Sequence, residues 1–159
     1  MGVIGMLAGR VKRIGTVAAV VAAAAAGVVV SAGPAAAATP LCSKVVTVTG
    51  VGAKVIVPAS SGGSLNCLIG RGLVANETIV RQLQHTLVRC YTNMRMPSPY
   101  TGERVGDIAV DGDFGPRTEA AVKAVQAGAG VTVDGIYGSE TRNRMRFRVA
   151  GDNSCARLA

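Results

Sequence analysis

Residues 77–91 place Ile79, Leu83, Leu87 and Cys90 on one stripe, with Arg81, Gln82, His85 and Arg89 elsewhere, which is the spacing of an amphipathic helix. Asn76 is positioned to cap that helix and Glu77 to meet its positive end, while His85 lies off the apolar stripe and reads as a solvated residue. Upstream, residues 45–49 and 54–57 are β-branched runs flanking Gly50 and Gly52, a pattern that predicts two short strands around a glycine turn. Residues 58–64 follow as a Ser- and Gly-rich loop. Residues 92–109 contain Pro97, Pro99 and Gly102 without a helical period, and read as a loop that is long for a small domain. Pro116 opens a second helix, with Ala121, Val122 and Val125 as its narrow apolar face and Gly128 and Gly130 as its end. A third helix is predicted over 139–149, with Thr141, Met145 and Val149 inward. Phe147 falls off that stripe, so something outside the helices must cover it, and the aminoterminal arm is the expected cover.

The aminoterminal segment changes the overall picture. Arg10, Lys12 and Arg13 precede a charge-free run over 14–32, after which residues 35–38 supply the small residues that a signal peptidase accepts. An apolar run of this length could also be retained as an anchor, but its many Ala and Gly residues and the adjoining small-residue site favour cleavage after Ala38. The expected organisation is a signal peptide over 1–38, an arm with a β-hairpin over 39–70 and a helical domain over 71–159. Cleavage would leave 121 residues and lower the net charge from +8 to +5, a balance compatible with anionic wall polymers but equally with a soluble domain that binds none.

The four cysteines, Cys42, Cys67, Cys90 and Cys155, all follow that leader, and an even count in an exported chain reads as two disulfides with three pairings open. No Cys-x-x-Cys spacing occurs and His85 is the only histidine, which argues against a zinc site and against nucleophilic chemistry that needs a histidine base. Asp107, Asp111 and Asp113 crowd together, but no acidic residue closes a calcium loop after Arg117. Glu77, Glu119 and Glu140 fall at helix starts, where the helix dipole accounts for them without a catalytic carboxylate pair. Phe114, Phe147, Tyr91, Tyr100 and Tyr137 are the only aromatics, too few for a base-stacking surface or a Trp-lined sugar site.

The most specific feature is a repeat at 23 residues, in which DGDFGPRT from Asp111 returns as DGIYGSET from Asp134, each leading into a helix. Asp111 with Gly112, and Asp134 with Gly135, make the turn. Phe114 and Tyr137 insert between helices, Gly115 and Gly138 clear the helix start, and a Thr sits in the first helical turn. Together with Leu83 and Gln84 in LQHTL and with Gln126 in AVKAVQAGAGVTVDG, the repeat resembles the type 1 peptidoglycan-binding domain family over about residues 79–145.

That resemblance implies a three-helix bundle; the short β-hairpin arm at the mature aminoterminus departs from the family pattern, and together they make the expected fold mainly α. It also implies a domain without catalytic residues, used to hold proteins on the cell wall; no metal or cofactor is expected. The expected partner is peptidoglycan or an associated wall polymer, and the expected state is a secreted or wall-associated monomer that binds no nucleic acid. The alternative is a secreted protein that inhibits or partners another exported protein through the long loop. Arg117, Tyr137 and Arg142, at or just after the turns, are the candidate ligand contacts. If the helices run up, down and up, Cys90 and Cys155 meet at one end of the bundle, and Cys67, at the other end, reaches back to Cys42.

Overall fold

A computed structural model describes residues 38–73 and 76–159, so the expected leader, apart from its last residue Ala38, lies outside the described residues. Its elements are β1 (Lys44–Thr49), β2 (Lys54–Ala59), α1 (Glu77–Cys90), α2 (Pro116–Ala129), α3 (Ser139–Arg144), β3 (Arg146–Arg148) and β4 (Cys155–Arg157). The architecture is therefore helical, with two short antiparallel strand pairs, β1–β2 and β3–β4. Among the described residues no helix is long and apolar enough to cross a membrane.

Helix α1 begins where expected because the Asn76 side chain accepts a hydrogen bond from the Ile79 amide at 3.1 Å, satisfying one of the amides that a helix start leaves without an internal partner. Its inward face is Ile79, Val80, Leu83, Gln84, Thr86 and Leu87, while His85 is exposed. Helix α2 has Pro116 in its first turn and ends at Gly130, whose φ of 67° is the left-handed conformation that terminates many helices.

The third helix departs from the expectation. It stops at Arg144; Met145 is extended (φ −72°, ψ 156°) and residues 146–148 form β3. The reason lies in burial. Met145, Phe147 and Val149 are 1, 0 and 6% exposed, alternating with an exposed Arg146 and a half-buried Arg148. A helical stripe can hold Met145 and Val149 but turns Phe147 away, whereas an extended chain sends all three to one face. The Tyr137 ring meets Phe147 edge to face, with centroids 6.4 Å apart.

The two hairpins are joined. Val55 bridges Val149, Gly50 bridges Leu158, and the Ala150 amide donates to the Lys54 carbonyl at 2.8 Å. The arm thus lies alongside the strand that carries Phe147, with Val55 and Val57 wholly buried. The disulfides are Cys42–Cys67 and Cys90–Cys155, with Cα separations of 5.0 and 5.8 Å. The pairing is the expected one, although Cys155 reaches the end of α1 on β4, paired to β3, and not from the end of a long third helix.

The 92–109 connection is folded on itself. Arg95 bridges Arg104, the Val105 amide donates to the Met94 carbonyl at 2.8 Å, and a single 3-10 turn spans Val105–Asp107. Met96, Val105 and Ile108 are buried beneath it, which gives the segment apolar contacts of its own.

Candidate functional site

Each repeated turn is built around one buried glutamine from the preceding helix. In the first unit, Gln84 Nε2 donates to Asp111 Oδ1 (2.8 Å), the Asp113 carbonyl (2.9 Å) and Thr118 Oγ1 (3.1 Å), and Gln84 Oε1 accepts from the Gly112 amide (2.8 Å). Asp111 Oδ1 also accepts from the Asp113 amide, and Thr118 Oγ1 donates to the Asp113 carbonyl. In the second unit, Gln126 Nε2 donates to Asp134 Oδ1 (2.7 Å), the Ile136 carbonyl (3.0 Å) and Thr141 Oγ1 (2.9 Å), and Gln126 Oε1 accepts from the Gly135 amide (2.8 Å). The bonds from Ile136 to Asp134 and from Thr141 to Ile136 complete the same set.

The Gly in each turn is required twice over. Gly112 and Gly135 have φ of 83° and 78°, and a Cβ on either would collide with the preceding helix, at Glu77 and Glu119 respectively. Those two residues sit at equivalent places, because the repeat includes the helices: Glu77, Val80, Arg81 and Gln84 correspond to Glu119, Val122, Lys123 and Gln126. Arg81 pairs with Glu77 and Lys123 with Glu119, and Arg81 also donates to the carbonyls of Val110 (2.7 Å) and Asp111 (2.8 Å). This longer repeat is legible in the sequence. It is masked because Asp111 lies 27 residues after Gln84, but Asp134 only eight after Gln126.

The turn residues Asp111, Gly112, Phe114, Gly115, Asp134, Gly135 and Gly138 are all found within these units. Phe114 is 8% exposed and Tyr137 is 0% exposed, so both rings are wedges in the core. For Tyr137 this corrects its assignment as a ligand contact: the side chain is enclosed against Phe147, its hydroxyl has no hydrogen-bond partner among the described residues, and burial pushes its ionisation well above the ordinary tyrosine range. The other two candidates differ from each other in setting. Arg117 is exposed, bonded to Glu103 through Nε (2.9 Å) and Nη2 (3.1 Å), with its guanidinium 5.2 Å from the Tyr100 ring centroid. Arg142 is half-buried on α3 and donates to the Asn143 side chain.

Arg117 and Tyr100 belong to the walls of a cleft that the sequence did not indicate. One cavity of 280 Å³ is lined by Tyr100, Ile108, Asp111, Asp113, Gly115 and Arg117, among others. A second, of 210 Å³, shares Tyr100 and Pro116 with it and extends to Arg71, Glu119 and Lys123. The folded 92–109 segment forms one side and the start of α2 the other. The Asp113 amide, followed by the Gln84 side chain, holds the Asp111 carboxyl below the usual carboxylate range, and Lys123, helped by Arg71, does the same for Glu119.

With this geometry in view, residues 76–145 match the model of the family described as "Putative peptidoglycan binding domain". The matched span starts at the Asn76 cap and includes both glutamine-centred units, so the similarity to that family lies in this part of the chain. The chain is also similar to the N-acetylmuramoyl-L-alanine amidase CwlL of Bacillus licheniformis, with 31% identity over 102 residues, which is 60% of this chain and 26% of the relative. It thus spans about a quarter of that protein's length.

The glutamines should dominate stability. Gln126→Ala truncates a buried side chain and orphans the Gly135 amide, at an expected cost of about 2–5 kcal/mol in denaturant unfolding. Tyr137→Phe removes only an unpaired buried hydroxyl and should leave stability unchanged or raised; a large loss would mean that the hydroxyl has a partner. Acid should destabilise the fold in a defined window. Asp111 and Glu119 have folded ionisations below their unfolded values, so their contribution is complete above about pH 5 and is lost as pH falls below about 4. A melting temperature that is flat from neutrality to about pH 5, then falls, is expected, with a shallower fall in Asp111→Asn.

Proposed function

We propose that the chain is a secreted, non-catalytic module that binds cell-wall peptidoglycan. The observation that carries this reading is the pair of glutamine-centred turn units inside the segment that matches the peptidoglycan-binding family. The similarity to an amidase named for a bond of the wall supports the same ligand, and the match to about a quarter of that protein fits a binding part separate from the whole enzyme. A non-catalytic role is supported by the use of the turn carboxylates: Asp111 and Asp134 each spend an oxygen on a glutamine amide and a turn amide, which fixes backbone shape and does not poise an acid or base. Secretion is supported by the basic-then-apolar leader and by two disulfides, which persist in oxidising surroundings. The domain organisation follows: a leader over 1–38, a hairpin arm over 39–70 that buttresses the rest, and the binding domain over 71–159.

Binding to a polar polymer of sugar and peptide rests on hydrogen bonds in a shallow cleft. The cleft beside α2 presents Tyr100 and Arg117 for that purpose, with Arg142 as a second basic contact on α3. The disulfide-bonded chain should cosediment with purified peptidoglycan and release no soluble fragments from it. Replacing Arg117 and Arg142 together by Gln should reduce retention about two- to tenfold, the size expected for exposed charge contacts. Unchanged retention removes both arginines from the site, and absence of retention by the unaltered chain would favour a protein partner instead.

A further inference from the structure

The two turn units are alike in their hydrogen bonds but not in what covers them. In the second unit a piece of the chain's own arm, Leu68 to Gly70, lies along the turn as an added strand. The Tyr137 amide donates to the Ile69 carbonyl at 2.8 Å, and the Ile69 amide donates to the Tyr137 carbonyl at 3.0 Å. The Leu68 side chain covers Gly138, with Cδ2 3.2 Å from where a Cβ on that glycine would sit. Ile136 faces the other end of the segment, its Cγ1 3.3 Å from a Cβ placed on Gly70. Ile69 itself is wholly buried.

The first unit has the same edge without that cover. Phe114, the counterpart of Tyr137, makes no backbone hydrogen bond among the described residues. Gly115, the counterpart of Gly138, would have a Cβ within 4 Å of Asp113 alone, which belongs to its own turn. Where Leu68 covers the second unit, the first opens on the 280 Å³ cavity bounded by Tyr100, Ile108 and Arg117. In the place of Ile136 stands Asp113, an exposed carboxylate that accepts no hydrogen bond from a described residue.

From this inequality we infer that the first unit takes an extended peptide in the manner in which the second takes residues 68–70. The peptide pairs its backbone with the amide and carbonyl of Phe114, sets a small or apolar side chain over Gly115 between Tyr100 and Ile108, and directs a primary amine to Asp113. Strand addition of this kind derives affinity from main-chain bonds and selectivity from the flanking side chains. Resting on the wall-binding reading, the inference names the recognised part of the polymer as the stem peptide, at its diamino residue, and not the glycan.

The test uses the full disulfide-bonded chain, labelled for amide NMR. The probes are a synthetic stem tetrapeptide carrying a diamino acid, the same peptide with its side-chain amine acetylated, and the peptide-free disaccharide of the wall. The expected result is movement of the Phe114, Gly115 and Arg117 amides with the first peptide, no movement with the disaccharide, and unmoved Ile69 and Tyr137. Asp113→Asn, which leaves every turn bond to the backbone of Asp113 in place, should weaken the peptide about two- to fivefold. Acetylation of the amine should weaken it equally, and should have no further effect in the variant. Shifts confined to other residues, or an equal response to the disaccharide, would overturn the inference. So would a concentration-dependent shift of the same amides without peptide, which would make a second copy of the chain the occupant. Retention on whole peptidoglycan with no peptide response at Phe114 would sink the cleft assignment alone; a peptide response without retention on the wall would support the cleft and sink the wall reading.

Discussion

A primary amide removed from water costs free energy unless its donors and acceptor are met, and Gln84 and Gln126, at 0 and 1% exposure, are met by the turns that follow them. Each glutamine holds an aspartate, a glycine amide, a carbonyl and a threonine in one arrangement, so the path of the chain from turn to next helix is set by a side chain on the previous helix. The aromatic wedge follows from that path: once Gly112 or Gly135 has turned the chain, Phe114 or Tyr137 can only enter the core. A fully satisfied polar cluster of this kind specifies a single geometry in a way that apolar packing of small residues does not. Helix α2 illustrates the need, since its buried face is built mainly from alanine and valine.

The remaining elements compensate for a small core. The hairpins β1–β2 and β3–β4 close over Phe147 through the Val55–Val149 and Gly50–Leu158 bridges, and each is tied by a disulfide to a neighbouring segment. In the chain-entropy picture, closing loops of 25 and 65 residues contributes roughly 3–4 kcal/mol each. This outer layer also determines which turn is available. By filling the edge of the second unit with residues 68–70, the arm leaves the first as the open one.

Much of this was legible in the sequence because it is local. The Asn76 cap, Pro116, Gly130 and the two Asp-Gly turns act over a few residues, and the strands around Gly50 follow from short-range patterning. What was missed depends on tertiary partners. Met145, Phe147 and Val149 alternate with arginines, a period-two signal, yet the preceding Ser139–Arg144 segment is helical and drew the whole stretch into one helix. The wedge role of Tyr137 was legible from the repeat, but its enclosure by Ile69 and Phe147, which rules it out as a ligand contact, depends on distant segments. The cleft beside α2 could not be seen, since the 92–109 segment has no period and acquires its shape from Met96, Val105 and Ile108 packing under it.

Native-state hydrogen exchange at Gly112 and Gly135 tests the central claim most directly. Each amide donates to a buried glutamine oxygen at 2.8 Å, so both should exchange only through opening of the unit that contains them. Their protection should match that of the Leu83 and Val125 amides in the flanking helices. Rapid exchange of both glycines, at the rate of an exposed loop and with those helices still protected, would contradict the account.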